Sequence, residues 1–314
     1  MSGALMVDTR FRVMGSDAHV AVATSGSRLD GDALLEAAHA RLVRLESIWS
    51  RFLPDSELSL ANSRPGEWVE LSPETVELVD RALRARTATG GLFDPTLLGE
   101  VAAAGYVASL DGSGRRGPVP VAPRDDASTA PVELDRSGLR LRVRRGVGFD
   151  PGGIAKGFAA DLIADELLHL GADGACVNVG GDLRVAGRVP GDWTIDVEDP
   201  RVPDGPPIRR LSIAEGAVAT SSRLRRRWTR PDGTESHHLI DPRTGRPARS
   251  AVLTATVVAA EGWVAEAAAT AAFLAHDPAD PSAVADVLAD AGATGLLVTT
   301  SGVVELPGVD EFLW

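Results

Sequence analysis

One cysteine, Cys176, is all that 314 residues contain. A lone thiol cannot close an internal disulfide and cannot build a cysteine-based metal cluster. No run of about 18 apolar residues occurs, so the sequence offers no transmembrane helix. A basic excess is missing too: the formal net charge is -12, which repels a nucleic-acid backbone and argues against a nucleic-acid partner unless a local basic patch offsets it. The opening stretch, "MSGALMVDTRFRVMGSDAHV", has charges where a signal peptide needs an apolar core, and it lacks a lipid-accepting cysteine. These features read as a non-exported, cytoplasmic chain. Self-similarity at a period of about 20–50 residues is also absent, which excludes a repeat array.

What is present suits a globule. Hydrophobic residues make up 44%, with 33 glycines and 20 prolines, close to ordinary usage. The length allows one large domain or two ordinary ones. Residues 9–24 read as two strands around Gly15, and residues 32–49 carry a helical stripe from Leu34 to Ile48. "SPETVELVDRALRARTATGG" (72–91) reads as a helix opened by Ser72 and Glu74 and closed by a glycine pair. Residues 110–131, rich in Gly, Pro, Asp and Ser, look like a surface insertion within one domain. Residues 138–150 alternate as a hairpin, followed by a helix over 152–170 and a strand over 175–187. Strands are expected near 192–198, 208–221, 223–230 and 251–260, then helices over 263–275 and 281–291 and a closing strand. Strands and helices mix without a βαβ rhythm, so the expected class is α+β, with mixed or antiparallel sheets and packed helices.

Several stretches exceed what folding alone asks for. In "DPGGIAKGFAAD" (150–161), Asp150 and Pro151 are ordinary helix starters. Two glycines in a first turn cost about 1 kcal/mol each against alanine, so Gly152 and Gly153 suggest that something touches the backbone there. A helix start with a nearby Lys156 suits phosphate. "VNVGGDLRVAG" (177–187) is either a simple turn at Gly180 and Gly181 or a second wall of the same site. In "TGGLFDPTL" (89–97) the glycines and Pro95 make a helix end and a turn, leaving Asp94 without a structural role.

"SHHLIDPRTGRP" (236–247) holds two of the six histidines beside a turn. Histidine is the default general base near neutral pH, and adjacent strand residues point to opposite faces, which disfavours a shared metal. In "GWVAEAAATAAF" (262–273) Glu266 stands alone among small apolar residues. Either it faces solvent or, if buried, it needs a partner or a cation. Thr270, one turn on, would add a hard oxygen suited to Mg2+. "RLRRRWTR" (223–230) reads as a basic strand, either a solvated face or an anion-attracting rim.

Taken together these stretches resemble the FAD:protein FMN transferase family, also called the ApbE family. The resemblance runs from about Phe11 to the end, through "VMGS", "IWSRFLPDSELSLANS", "TGGLFDPTL", "DPGGIAKGFAAD", "VNVGGDL", "AVATSS", "HHLIDPRTGRP" and "AEAAATA" in the family's order. It implies an ApbE-type fold related to T-fold modules, one catalytic unit over 1–314, and FAD in a cleft. It implies that Met14, Phe52, Leu92, Phe93, Asp94, Asp150 and Lys156 contact FAD, and that His238 is the catalytic base. It also implies an Mg2+ site made of Glu266, Thr270 and the carbonyls of Ala155 and Ala269; Glu266 stands where the family usually has Asp. The implied reaction moves FMN from FAD to a threonine hydroxyl of a partner flavoprotein and releases AMP. Two other readings are an Mg2+-dependent FAD pyrophosphatase giving FMN and AMP, and a non-catalytic FAD-binding protein.

Overall fold

The computed structural model describes residues 5–25, 30–109, 113–119, 130–202, 204–230, 233–277, 279–280 and 282–314. Within these the chain divides into two compact units, one of Met1–Val43, Lys156–Ser222 and Ser250–Trp314, the other of Arg44–Ala155 and Arg223–Arg249.

The first unit is built on an eight-stranded sheet. Its strands run, in spatial order, Leu5–Val13, Ser16–Thr24, Gly174–Val179, Asp182–Gly187, Gly216–Ser222, Val252–Ala259, Thr294–Thr299 and Val303–Glu305. Every neighbouring pair is antiparallel. The period of two decides which residues serve which face. Val218, with Leu183, Cys176, Val258 and Leu296, joins an apolar cluster completed by the hairpin Trp193–Val197/Arg209–Ile213. Ala217, Ala219 and Ser221 alternate with Val218 and serve the opposite face. The helix Gly262–Ala275, here the alanine helix, packs on Gly216–Ser222 and Val252–Ala259. All of its residues but Val264 and Thr270 are buried. Small side chains let it approach the sheet closely, and the strand Val252–Ala259 is buried at all eight positions. The helix Ala155–His169, the lysine helix, buries Phe158, Ile163 and Leu167.

The second unit is helical with small sheets. Glu57–Ser63 is capped by Ser56, whose hydroxyl accepts from the Ser59 amide, and Pro73–Ala88 by Ser72, which accepts from Thr75. Three strands pair in the order Trp68–Glu70, Arg140–Val143, Val132–Asp135. Two short hairpins follow, Arg227–Thr229 with Glu235–His237 and Ile240–Asp241 with Arg246–Pro247.

The α+β class is as the sequence suggests, and the corrections are local. The lysine helix starts at Ala155 and not at 152, because Pro151 to Ile154 form a turn whose Pro151 carbonyl accepts from Ile154 and Ala155. The 138–150 segment is no hairpin on itself; Arg140–Val143 pairs with strands before it. The 175–187 run is a hairpin folded at Gly180–Gly181, and 208–221 breaks into two strands at Ala214–Glu215. Of the basic run 223–230 only Arg227–Thr229 is strand. Most of the expected 110–131 insertion, residues 110–112 and 120–129, lies outside the described residues. No helix among the described residues is long and apolar enough to cross a membrane.

Candidate functional site

In the first unit, the functional side chains collect where the lysine helix starts. Lys156 Nζ lies against two carboxylates, donating to Asp182 Oδ2 and, at 2.7 Å, to Glu266 Oε1. Lys156 is half-buried at 14% exposure, and Asp182 and Glu266 are buried at 4% and 5%. Glu266 uses its other oxygen, Oε2, to accept from the Gly157 amide at 2.8 Å. Asp182 Oδ1 accepts from the Thr220 amide at 3.3 Å. One turn after Glu266, Thr270 Oγ1 is 3.1 Å from Ser221 Oγ. Period-two alternation explains the gathering: Asp182, beside inward-facing Leu183, and Ser221 both point to the helix side of the sheet.

The first two strands of the sheet join at the hairpin tip Met14–Gly15. Both residues have positive φ, 52° and 65°, the backbone of a type I′ turn, which is unusual for a methionine. The next turn of the same sheet, Gly180–Gly181, is tied to it by the Gly180 amide donating to the Asp17 carbonyl, 2.8 Å. Asn178 Oδ1 accepts from Gly181 and closes that turn.

A third carboxylate, Asp161, lies farther along the lysine helix. It accepts from the Gly262 and Trp263 amides at 2.6 and 3.0 Å, with Arg184 Nε at 3.6 Å. Burial pushes its carboxyl up to about 7, against the opposing pull of the two amides and Arg184.

In the second unit the arrangement centres on Arg51, 4% exposed. Its Nε pairs with Asp150 Oδ2 at 3.0 Å and its Nη2 donates to the Tyr106 carbonyl at 3.0 Å. The guanidinium lies over Phe52 at 4.2 Å and Tyr106 at 4.7 Å, and Tyr106 stacks on Trp228 at 5.5 Å. Asp150 also accepts from the Gly152 amide at 2.9 Å, so its carboxylate caps a turn ahead of the helix. Leu92 is half-buried, while Phe93 is a core residue at 4% exposure. Asp94 does have a structural role, contrary to the sequence expectation. It pairs with Arg86 at 2.9 Å and accepts from the Thr96 amide and hydroxyl at 2.9 and 2.6 Å.

The two histidines separate cleanly. His237 spends both ring nitrogens on backbone: Nε2 on the Ala248 carbonyl at 3.0 Å, and Nδ1 accepting from Leu239 at 3.3 Å. Burial lowers its pKa, so it is a neutral structural residue. His238 is half-buried with Nδ1 3.3 Å from the Arg226 carbonyl, a bond that makes Nε2 the basic nitrogen of the neutral ring.

Two members of these groups escaped sequence reasoning, Asp182 as partner of Lys156 and Arg51 as partner of Asp150. The only sequence signal for Asp182 was a charge directly after a glycine pair at a strand start. As for a metal, no group of three or more His, Cys, Asp or Glu side chains among the described residues is set to hold one. The donors around Glu266 are two carboxylates and hydroxyls, the hard-oxygen chemistry that magnesium takes through one or two carboxylates. They fit that ion chemically, with the one ammonium of Lys156 shared between the two carboxylates as they stand.

A family model described as the ApbE family matches residues 14–291. Curated relatives include a FAD:protein FMN transferase of Treponema pallidum, 30% identical over 287 residues, 83% of this chain and 76% of that protein. Another, from Vibrio cholerae, is 30% identical over 233 residues, 70% of this chain and 67% of that one. Among solved structures, an ApbE protein of Thermotoga maritima matches with a TM-score of 0.84 at 29% identity, covering 98% of this chain and 99% of its own. The apo flavinyl transferase ApbE of Pseudomonas stutzeri, at 24% identity and a TM-score of 0.79 over 98% of this chain and 97% of that one, has the same fold.

Proposed function

Because the chain belongs to the ApbE family, we propose that it moves FMN from FAD onto a threonine hydroxyl of a partner flavoprotein, with release of AMP. The curated relatives bear the name of that activity, and the whole chain, 1–314, acts as one catalytic unit. The observation that carries the reading is the Lys156 ammonium held between the buried carboxylates of Glu266 and Asp182 at a helix start. It offers one ammonium to phosphate and carries one carboxylate more than its ammonium neutralises.

Lys156 and the turn opened by Asp150 bind FAD phosphate, with Met14, Phe52, Leu92, Phe93 and Asp94 as the remaining flavin-binding positions. Glu266, Thr270 and the carbonyls of Ala155 and Ala269 would hold Mg2+, which when bound supplies charge neutralisation at the phosphates and the AMP leaving group. His238 takes the proton from the threonine hydroxyl as that oxygen attacks the FMN phosphorus and the bond to the AMP oxygen breaks. The neutral ring, held through Nδ1, presents Nε2 for this purpose.

The test is incubation with FAD, MgCl2 and a threonine-bearing flavoprotein acceptor. AMP release together with a flavin-fluorescent band on a denaturing gel is expected. AMP without protein-bound flavin would replace the transferase reading with the pyrophosphatase one, and absence of both would leave a FAD-binding protein. His238→Ala is expected to lower transfer by roughly 10²–10⁴ with FAD binding nearly intact. His237→Ala, by contrast, should change stability and leave the rate per folded molecule nearly unaltered.

A further inference from the structure

The lysine and alanine helices meet at a pair of glycines. A Cβ on Gly157 would stand 2.2 Å from the Gly262 carbonyl oxygen, and one on Gly262 would stand 2.4 Å from the Gly157 carbonyl oxygen. Backbone touches backbone here, which only glycine allows. The sequence repeats one spacing on both sides of the contact: Gly157 is followed four residues later by Asp161, and Gly262 four residues later by Glu266. On a helix that spacing puts a carboxylate on the glycine's own face, leaning back towards the helix start.

Each carboxylate then crosses to the other helix. Glu266, from the alanine helix, accepts from the Gly157 amide at the start of the lysine helix, 2.8 Å. Asp161, from the lysine helix, accepts from the Gly262 and Trp263 amides at the start of the alanine helix, 2.6 and 3.0 Å. The alanine helix has no cap of its own, since the Glu261 side chain at its cap position makes no cap bond. Helix starts leave amides in need of acceptors and carry partial positive charge. The two helices satisfy each other reciprocally.

The two arms are not equivalent. Asp161 gives both oxygens to amides. Glu266, longer by one methylene, gives one oxygen to an amide and presents the other to Lys156 at 2.7 Å. We propose that Asp161 is a positioning residue: by capping the alanine helix from the lysine helix, it fixes where Glu266 stands relative to Lys156. Its effect therefore reaches the cation site through Glu266, which rests on the reading of Glu266 as a magnesium ligand.

The experiment compares the full-length wild type, Asp161→Asn and a destabilised control, Leu288→Ala, whose side chain is buried at 1% exposure in the helix Ser282–Asp290. Two magnesium titrations are read: AMP release from FAD, and the MgCl2-dependent rise in melting temperature. Asp161→Asn is expected to move the magnesium midpoint up by about tenfold in both, with kcat at saturating magnesium changed less than about threefold, as outer supports of a metal site do. Leu288→Ala should melt lower with an unmoved midpoint. If the Asn variant does not accumulate, Asp161→Ser, which keeps one short acceptor, carries the same comparison. Wild-type midpoints in the Asp161 variants, with melting lowered as in the control, would overturn the proposal and make Asp161 a plain stabilising cap. A wild type whose AMP release ignores magnesium would instead overturn the metal reading, and this inference with it.

Discussion

Two cations, half-buried Lys156 in one unit and buried Arg51 in the other, are each paired with an aspartate. Lys156, a compact ammonium, is shared by two carboxylates, so the group keeps one excess negative charge. Arg51 is paired with one carboxylate and is neutral as a pair; two aromatic faces and a carbonyl hold it flat. Its Nη1, buried, has no hydrogen-bond partner among the described residues. The first group is therefore suited to gain a cation. The second has a donor to spare and is suited to an anion. A point charge on a flexible stem can yield to an incoming ion, whereas a stacked guanidinium keeps its plane.

Removing the lysine should have the largest effect. Lys156→Met leaves two carboxylates buried without their ammonium, and uncompensated buried charge costs about 3–5 kcal/mol. Denaturant melts are expected to show that loss, and millimolar MgCl2 should recover part of it. A variant as stable as wild type would mean that water already reaches the carboxylates and that the group is not a cation site in waiting. Arg51→Met should cost less, about 1–3 kcal/mol. Asp150 is more exposed than Asp182, 19% against 4%, and keeps the Gly152 amide. Here magnesium should restore nothing. An equal magnesium response in both variants would erase the distinction between the groups.

Glu266 tests the excess charge more gently. Glu266→Gln removes one charge and keeps an acceptor for the Gly157 amide, so folding should be nearly unchanged while magnesium-dependent AMP release is lost. Glu266→Asp keeps the charge and shortens the reach, so it should lose the Gly157 bond at about 1 kcal/mol yet retain AMP release. If Gln keeps the wild-type rate and magnesium response, the carboxylate serves only the lysine and the helix start.

Some of this was legible from residues alone. A single acid among alanines made Glu266 conspicuous, because burial of an unpaired carboxylate is so costly. The glycine pair at 180–181 marked a turn, and Ser72 marked a helix start. The pairings were not legible. Lys156 and Asp182 are 26 residues apart, Arg51 and Asp150 nearly a hundred, and no local pattern encodes which strand a helix start will face. Local signals also misled: Asp150–Pro151 has the chemistry of a helix start, yet the helix begins after a further turn. The alternation of 138–150 was real, but its partners lay upstream. Asp94 looked spare because Arg86 reaches it from eight residues back, across the glycine-rich helix end; its bond to Thr96, two residues on, is a local Asx turn that the sequence reading passed over. Asp161 was hidden because the amides it caps, Gly262 and Trp263, lie about a hundred residues further on.

That carboxylate supplies the smallest expected effect, a slope with pH. Unlike Asp182 and Glu266, Asp161 has no ammonium against it; it faces two amides, with Arg184 at 3.6 Å and the charge of Glu261 opposing ionisation. Burial places its folded pKa at about 7, above the ordinary 3.8 of the unfolded chain. A folded pKa raised in this way means that the folded state binds the proton more tightly. Its contribution to stability is then fully present below about pH 4 and is lost as pH rises through 7. Asp161→Asn does not titrate there. The melting temperature of the wild type relative to the variant should therefore fall between pH 4 and 7 and level off above. Paired thermal melts at half-unit steps would resolve it. A difference that rises with pH near 4 would show that the helix-start amides outweigh burial and keep Asp161 ionised. The crossing of the two helices would then be held by charge at every working pH.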